Sequence, residues 1–158
     1  MAAHEPKNPG YRAAAIAMFD RQPAMHTLGI VIVRLAPGEV ELAMLHSPAL
    51  TQQNGFVHAG IIAAGLDNAC GVAAFTLMPR EADILTVEFK TMLLAPARGE
   101  RFVFNAEVVK PGRTLTFCEA KAFAEHAGKV TLIATMTGTL MAMLPRPCGF
   151  ARTAHNPA

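Results

Sequence analysis

The hydrophobic and polar positions of the first third of the chain alternate between helical and extended patterns. Residues 11–20 have apolar positions at helical spacing, and Gln22-Pro23 follows them, so we predict a short helix that ends there. Residues 28–35 and 40–45 are rich in Val, Ile and Leu and flank the turn at 36–39. They predict two strands of a hairpin.

One long apolar stretch follows a polar loop at 47–56. Residues 57–78 are apolar almost all round a helix and end before Pro79, which predicts a single helix that other elements must cover. Four further strands, separated by short turns, are predicted at 84–94, 101–109, 113–124 and 129–143. Because short turns force neighbouring strands to be antiparallel, we predict an α+β fold in which a curved antiparallel sheet wraps around one central helix.

The chain length indicates one domain, and the composition indicates that part of its surface is covered. The 158 residues suffice for a hydrophobic core, and we divide them into an N-terminal segment at 1–22, a domain at 23–144 and an irregular tail at 145–158. Only 16% of the residues are charged, against about 25% in typical soluble domains. This low share predicts that part of the surface is covered in an oligomer.

Charge and cysteine usage exclude several classes of protein. The net charge of +2 is scattered, with no run of Lys or Arg, which argues against nucleic-acid binding. Cys70, Cys118 and Cys148 lack metal-ligand spacing and cannot all pair, and the histidines have no such spacing either. We therefore expect no metal site and a reducing, cytoplasmic environment. The apolar stretches fall short of the roughly 18 residues that a membrane span needs.

The transition from the polar loop into the long helix carries the candidate chemistry. Gln52-Gln53-Asn54-Gly55-Phe56-Val57-His58-Ala59-Gly60 opens the helix, and Asp67 lies in the middle of it among small and apolar residues. A buried carboxylate is costly unless it is paired or has a chemical task. For Asp67 we weigh catalysis against a structural role, either capping a loop or pairing across an interface.

The order of these motifs is similar to that of the hotdog-fold acyl-CoA thioesterases of the PaaI-like group, over residues 28–143. The matching features are Gln52, His58-Ala59-Gly60, Asp67 nine residues after His58, the Thr86-Val87-Glu88-Phe89 strand leading into Leu94-Ala95-Pro96-Ala97, and the Gly112-Arg113-Thr114 turn. Ala59 departs from the more common His-Gly-Gly but keeps its backbone N–H. The resemblance implies hydrolysis of an acyl-CoA to the free acid and coenzyme A, with no cofactor besides the substrate's own coenzyme A.

Hydrolysis of a thioester needs a polarised carbonyl and either an activated water or a nucleophilic carboxylate. Asp67 is the candidate general base or nucleophile, and the sequence does not separate these roles. The Ala59 N–H at the helix N-terminus is the candidate donor to the carbonyl oxygen. The two residues are eight positions, or about 12 Å, apart on one helix, so one subunit cannot bring both to one thioester. We therefore predict a homodimer, or a dimer of dimers, in which Gln52 and Ala59 of one chain meet Asp67 of the other.

The remaining candidates have weaker assignments. His58 is half a turn out of phase with Asp67, so we expect it to order the loop, with a substrate contact as the alternative. Thr86 either holds Asp67 or its water, or is an ordinary strand threonine. Arg113, with Thr114, is the candidate ligand of the coenzyme A phosphates, and Lys90 and Arg98 are weaker candidates of the same kind.

Small residues mark the Asp67 face of the helix, and we prefer close helix packing to an acyl pocket as their explanation. They are Ala63, Ala64, Cys70, Gly71 and Ala74. Two other functions stay open: a non-catalytic acyl-CoA-binding hotdog protein, which has no need of Asp67 and Gln52, and a hotdog hydroxyacyl-thioester dehydratase, which needs a different arrangement of His and carboxylate. The identity of the acyl group lies beyond the sequence.

Overall fold

The computed structural model describes residues 4–145, which form six strands and three α-helices. The elements are α1 (Tyr11–Asp20), α2 (Pro23–Leu28), β1 (Ile30–Ala36), β2 (Glu39–Leu45), a 3-10 turn (Pro48–Leu50), α3 (Ala59–Phe75), β3 (Asp83–Leu93), β4 (Arg101–Lys110), β5 (Leu115–His126) and β6 (Lys129–Met143).

The six strands form one curved sheet in the order β1-β2-β4-β5-β6-β3, and every neighbouring pair is antiparallel. Helix α3 lies across the inner face and contacts all six strands. This arrangement confirms the predicted fold class. The link from α3 to β3 sends the chain to the far side of the sheet, so that among residues 4–145 β3 pairs with β6 alone and keeps one free edge.

The core lies between α3 and the inner positions of the central strands. Phe102 and Phe104 of β4 are fully buried, and so is Leu66 of α3. A Cβ added at Gly65 would lie 2.6 Å from the Phe104 ring, which is too close for real atoms. Gly65 therefore allows α3 to lie directly on the aromatic side chains of the sheet.

The free edge of β3 is long and apolar. Nine of the eleven residues of β3 are exposed, and Leu85, Val87 and Phe89 are each about half exposed, at 54%, 53% and 49%. A strand edge of this kind presents unpaired backbone groups beside apolar side chains, which favours pairing with another strand.

The observed elements differ from the sequence predictions in their boundaries and in one helix. Helix α1 ends at Asp20, before Gln22-Pro23, as predicted, but Pro23 also begins the unpredicted helix α2, whose C-cap Gly29 has the left-handed conformation (φ +66°). Proline suits the first helical position because its missing N–H has no acceptor there. Helix α3 is shorter than the predicted 57–78. At its start, residues 57 and 58 belong to the preceding loop, which is held by the backbone hydrogen bonds described below. Most of the predicted 145–158 tail, including Cys148, lies outside the described residues.

Candidate active site

The loop that leads into α3 is fixed by backbone hydrogen bonds on both sides. The Val57 N–H donates to the Ala97 carbonyl at 3.0 Å, and the His58 N–H donates to the Leu50 carbonyl at 2.9 Å. Gly55 takes a positive φ of 79°, which a side chain would disfavour. The loop therefore delivers the first residue of α3 at a defined position.

His58 is the N-cap of α3. Its Nδ1 accepts a hydrogen bond from the Gly60 N–H at 2.9 Å, while the ring as a whole is exposed. Ala59 is the first helical residue, and no acceptor for its N–H occurs among residues 4–145. The cap thus uses the second N–H of the helix and leaves the first one exposed at the positive end of the helix dipole.

Gln52 and Ala59 line the same cavity. The Gln52 side-chain oxygen accepts a hydrogen bond from the Asn54 N–H, which leaves the amide NH₂ group as a donor. The cavity has a volume of about 430 Å³ and is otherwise mostly apolar. Its further lining residues include Ile62 of α3, Leu93 at the end of β3, and residues 94–97 that follow it.

Asp67 lies in a second cavity, of about 390 Å³, on the exposed side of α3. Thr86 Oγ1 donates a hydrogen bond of 2.8 Å to Asp67 Oδ1, so the structure places Thr86 as a direct partner of this carboxylate. Burial raises the pKa of the Asp67 carboxyl above its usual range, and the bond from Thr86 lowers it in part. A half-buried carboxylate with a raised pKa is a stronger base than an ordinary exposed carboxylate, which suits it to accept a proton.

The structure adds residues to this cavity that the sequence did not point to. Met18, Arg21 and Gln22 reach it from α1 and the α1–α2 junction, and Asn68 Nδ2 donates to Gln22 Oε1 at 2.5 Å. Gln22 and Asn68 are 46 residues apart, so no local pattern indicates that they meet.

The two cavities have no lining residue in common. Within one protomer, Gln52 and Ala59 therefore face one cavity, and Asp67 and Thr86 face another. Strand β3 joins them: Thr86, near its start, lines the Asp67 cavity, and Leu93, at its end, lines the Ala59 cavity.

The candidate phosphate ligands fall at both ends of the sheet. Arg113 and Thr114 are exposed in the β4–β5 turn. Leu140 of β6 is the partner of both Thr86 and Thr116, so this turn lies at the Asp67 end. Arg98 is exposed and follows Ala97, at the Ala59 end. Lys90 is exposed midway along β3.

Metal binding and membrane spanning can also be judged from residues 4–145. Between residues 4 and 145, no three His, Cys, Asp or Glu side chains are grouped to hold a metal ion. None of the helices in this range has the length and apolar character needed to cross a bilayer.

Comparison with known proteins identifies the family. The thioesterase superfamily model matches residues 54–131. Human acyl-coenzyme A thioesterase 13 is 31% identical over 102 residues, which cover 64% of this chain and 72% of that protein. The chain spans between 64% and 72% of the length of the curated relatives that it matches.

Solved structures show the same fold. A thioesterase family protein from Silicibacter pomeroyi is 58% identical, with a TM-score of 0.85 over 86% of this chain and 100% of that one. The PaaI protein of E. coli has a TM-score of 0.76 over 87% and 96% of the two chains, at 16% identity, a likeness in fold alone. The chain therefore belongs to the thioesterase superfamily and is a hotdog-fold thioesterase, with a fold like that of PaaI.

Proposed function

We propose that the protein hydrolyses an acyl-CoA to the free acid and coenzyme A, with Asp67 as the reacting carboxylate. The observation that carries this proposal is the half-buried Asp67 in mid-helix, which has a raised pKa, a hydrogen bond from Thr86 and an open cavity beside it. The name of human acyl-coenzyme A thioesterase 13 supports coenzyme A as the thiol of the substrate.

We propose that the working site lies between two copies of the chain that pair along β3. Two-fold symmetric, antiparallel pairing of β3 with its twin covers the free apolar edge. Antiparallel pairing sets the start of one β3 beside the end of the other. The Asp67 cavity of one protomer then faces the Ala59 cavity of its partner, which resolves the separation of the two cavities within one chain.

In this composite site the reaction has two steps. Asp67 accepts a proton from water as the water oxygen attacks the carbonyl carbon, and the Ala59 N–H and the Gln52 amide of the other chain donate to the oxyanion. The C–S bond then breaks, and the protonated Asp67 returns its proton to the departing thiolate. In the alternative route, an Asp67 oxygen attacks the carbonyl carbon directly and the C–S bond breaks, which releases the coenzyme A thiolate and leaves a mixed anhydride. Water then hydrolyses the anhydride to the free acid and restores the Asp67 carboxylate.

The basic side chains are proposed to hold the phosphates of coenzyme A. Arg113 and Thr114 lie at the Asp67 end of one protomer, and Arg98 lies at the Ala59 end. Antiparallel pairing of β3 brings these ends of opposite protomers together, so that Arg113 of one chain and Arg98 of the other flank the same site. Lys90 lies on β3, close to the proposed pairing edge.

The test is the activity of Asp67→Asn towards a panel of acyl-CoAs, measured as release of free thiol. The amide keeps the shape of the side chain but removes the base, so turnover should fall at least about a hundredfold. Asp20→Asn, an exposed substitution at the end of α1, is the matched control and should keep full activity. A folded Asp67→Asn protein with near-normal turnover excludes this mechanism.

The same assay separates the other candidate functions. A non-catalytic acyl-CoA-binding protein would bind the panel without releasing thiol. A dehydratase would convert a hydroxyacyl-CoA to its unsaturated product with the thioester intact.

The cytoplasmic location is likewise a proposal. It rests on cysteine usage, since Cys70 and Cys118 are buried free thiols in the structure.

A further inference from the structure

Strand β3 carries one residue more than the part of β6 with which it pairs. Thr86 pairs with Leu140, and Leu93 pairs with Ala134. Seven steps along β3, from 86 to 93, therefore match only six steps along β6, from 140 to 134. The register changes directly after Thr86 and leaves Val87 without a partner on β6. Val87 is thus the extra residue of a β-bulge.

The bulge sets both ends of β3 on the same face of the sheet. Side chains of a regular strand alternate between the two faces, so residues an odd number of steps apart point to opposite sides. Leu140 and Ala134 are both fully buried in the core, and paired residues on neighbouring strands share a face. Thr86 and Leu93 therefore both face α3, where each lines one of the two site cavities. A strand without the bulge would turn one of them to the outer face.

Two side-chain hydrogen bonds hold the strand on either side of the bulge. On the outer face, directly after Val87, Thr139 Oγ1 donates to Glu88 Oε1 at 3.0 Å. Thr139 is only 7% exposed, whereas Glu88 is exposed. On the inner face, directly before Val87, Thr86 Oγ1 donates to Asp67 Oδ1 at 2.8 Å. Because a bulge disrupts the backbone ladder locally, these side-chain bonds help to fix its position.

We propose that the bulge at Val87, fixed by the hydrogen bond between Thr139 and Glu88, positions Thr86 against Asp67. Glu88 and Thr139 are then positioning residues, which act on the carboxylate through Thr86 from the opposite face of the sheet. The inference rests on the proposed hydrolysis at Asp67 and adds residues that support it. A loosened bulge weakens the bond from Thr86, and because this bond lowers the pKa of Asp67, that pKa then rises.

The first experiment exchanges the two residues at the bulge. Thr86→Val should lower kcat for an acyl-CoA about tenfold, because it removes a hydrogen bond to a charged carboxylate. The double variant Thr86→Val/Val87→Thr returns the hydroxyl one position later. Val87 does not line the Asp67 cavity, so kcat should stay low. Thr86→Ser keeps the hydroxyl in place and is the control, expected to have nearly native kcat. Recovery in the double variant, or a native kcat for Thr86→Val, overturns the inference.

The second experiment removes the outer hydrogen bond from either side. Thr139→Val keeps the shape of the side chain but lacks the hydroxyl, and Glu88→Ala changes an exposed residue. Each should lower kcat about threefold, less than the loss of the Thr86 bond itself. Each should also move the acidic limb of the kcat–pH profile to higher pH, because Asp67 must be ionised to react. The combined variant should show no further change, since both substitutions remove one bond.

Thr137→Val is the matched control for the second experiment. Thr137 is exposed two residues before Thr139, on the same face of β6, and its substitution should leave the pH profile unchanged. The inference is overturned by a native profile in both Thr139→Val and Glu88→Ala, or by a shift in only one of them.

The acidic limb can be assigned to Asp67 because the groups around it stay the same in every variant. Among the described residues, Arg21 and Asp83 line the same cavity, and Cys70 lies one turn further along α3. A hydrogen bond with Cys118 and burial raise the pKa of the Cys70 thiol, so this group stays neutral throughout the assay.

The proposed function and this inference can fail separately. If Asp67→Asn keeps near-normal turnover, the proposed function fails, and the positioning role fails with it. If Asp67→Asn is inactive while the Thr139 and Glu88 variants keep the native kcat and pH profile, only the positioning role fails.

Discussion

The sharing of active sites between two chains can be tested by removing a single backbone N–H. Ala59→Pro deletes the proposed oxyanion donor without otherwise altering α3. Proline is well tolerated at the first helical position. His58, which precedes it, already has φ −60° and ψ 137°, the extended conformation that a following proline requires. The Ala59 N–H also has no acceptor to lose among residues 4–145.

The expected magnitudes follow from the composite site. Ala59→Pro alone should lower kcat by about 10²- to 10³-fold, as the loss of one oxyanion donor does elsewhere. Asp67→Asn alone should also be nearly inactive. When equal amounts of the two variants exchange subunits freely, half of the dimers are mixed, and each mixed dimer has one site with both residues intact. About a quarter of the native activity should therefore return.

The assay is free-thiol release after the two variants, carrying different affinity tags, have been incubated together. Mixed dimers are counted by sequential purification on the two tags, so that exchange is established separately from activity. Ala59→Gly keeps the N–H and is the matched control, expected to have nearly native activity. Complete exchange without recovery would show that each site belongs to one chain. An Ala59→Pro enzyme with native activity would exclude this N–H as the donor.

Three further results are expected. Arg113→Ala should raise KM with little change in kcat for a full acyl-CoA, because a phosphate contact is equally strong in the ground and transition states. The control Lys129→Ala, which removes an exposed charge at the start of β6, should leave KM unchanged. If Arg113→Ala lowers kcat equally for a full and a truncated thioester, Arg113 does not bind the phosphates. Asp67→Asn should raise the melting temperature at pH 7. The pKa of Asp67 is raised in the folded protein, so the native protein loses stability as pH rises from the unfolded-state pKa through the folded-state pKa, and asparagine removes this loss. The difference in melting temperature should vanish in acid, below the unfolded-state pKa, and equal melting temperatures at pH 7 count against the raised pKa. Gly65→Ala should lower the free energy of unfolding by about 1–3 kcal/mol, measured by denaturant titration, because the added Cβ clashes with the Phe104 ring. An unchanged unfolding midpoint would contradict the close packing of α3 on Phe104.

Strong hydrophobic patterns predicted the elements of the fold well. Helix α1 and strand β6 have the predicted bounds, because each combines a clear periodicity with definite turn residues at its ends. Helix α2 was missed because Pro23 was interpreted only as following the end of α1, whereas it is also the first residue of the next helix. The predicted start of α3 was two residues early, since the apolar Val57 was assigned to the helix although tertiary hydrogen bonds hold it extended.

The candidate site was predictable only as far as its residues lie close together in sequence. Asp67 and the loop before α3 could be found from their contrast with the apolar helix around them. From the sequence, a role for Thr86 beside Asp67 and an ordinary role in the strand were equally favoured, because nothing near a strand threonine in sequence indicates its hydrogen-bond partner. The structure shows the hydrogen bond from Thr86 to Asp67. The wall formed by Gln22 had no local signal, since it depends on how α1 packs on α3.

Under the proposed pairing along β3, the activity of each molecule depends on the concentration of the protein. If each site needs both chains, a diluted sample loses turnover as dimers dissociate, and specific activity rises with enzyme concentration until pairing is complete. A newly made chain also exposes Leu85, Val87 and Phe89 until it meets a second copy. In the proposed dimer, the strand edge that completes the catalytic site also makes an isolated chain prone to aggregation, so partner encounter would govern both yield and activity.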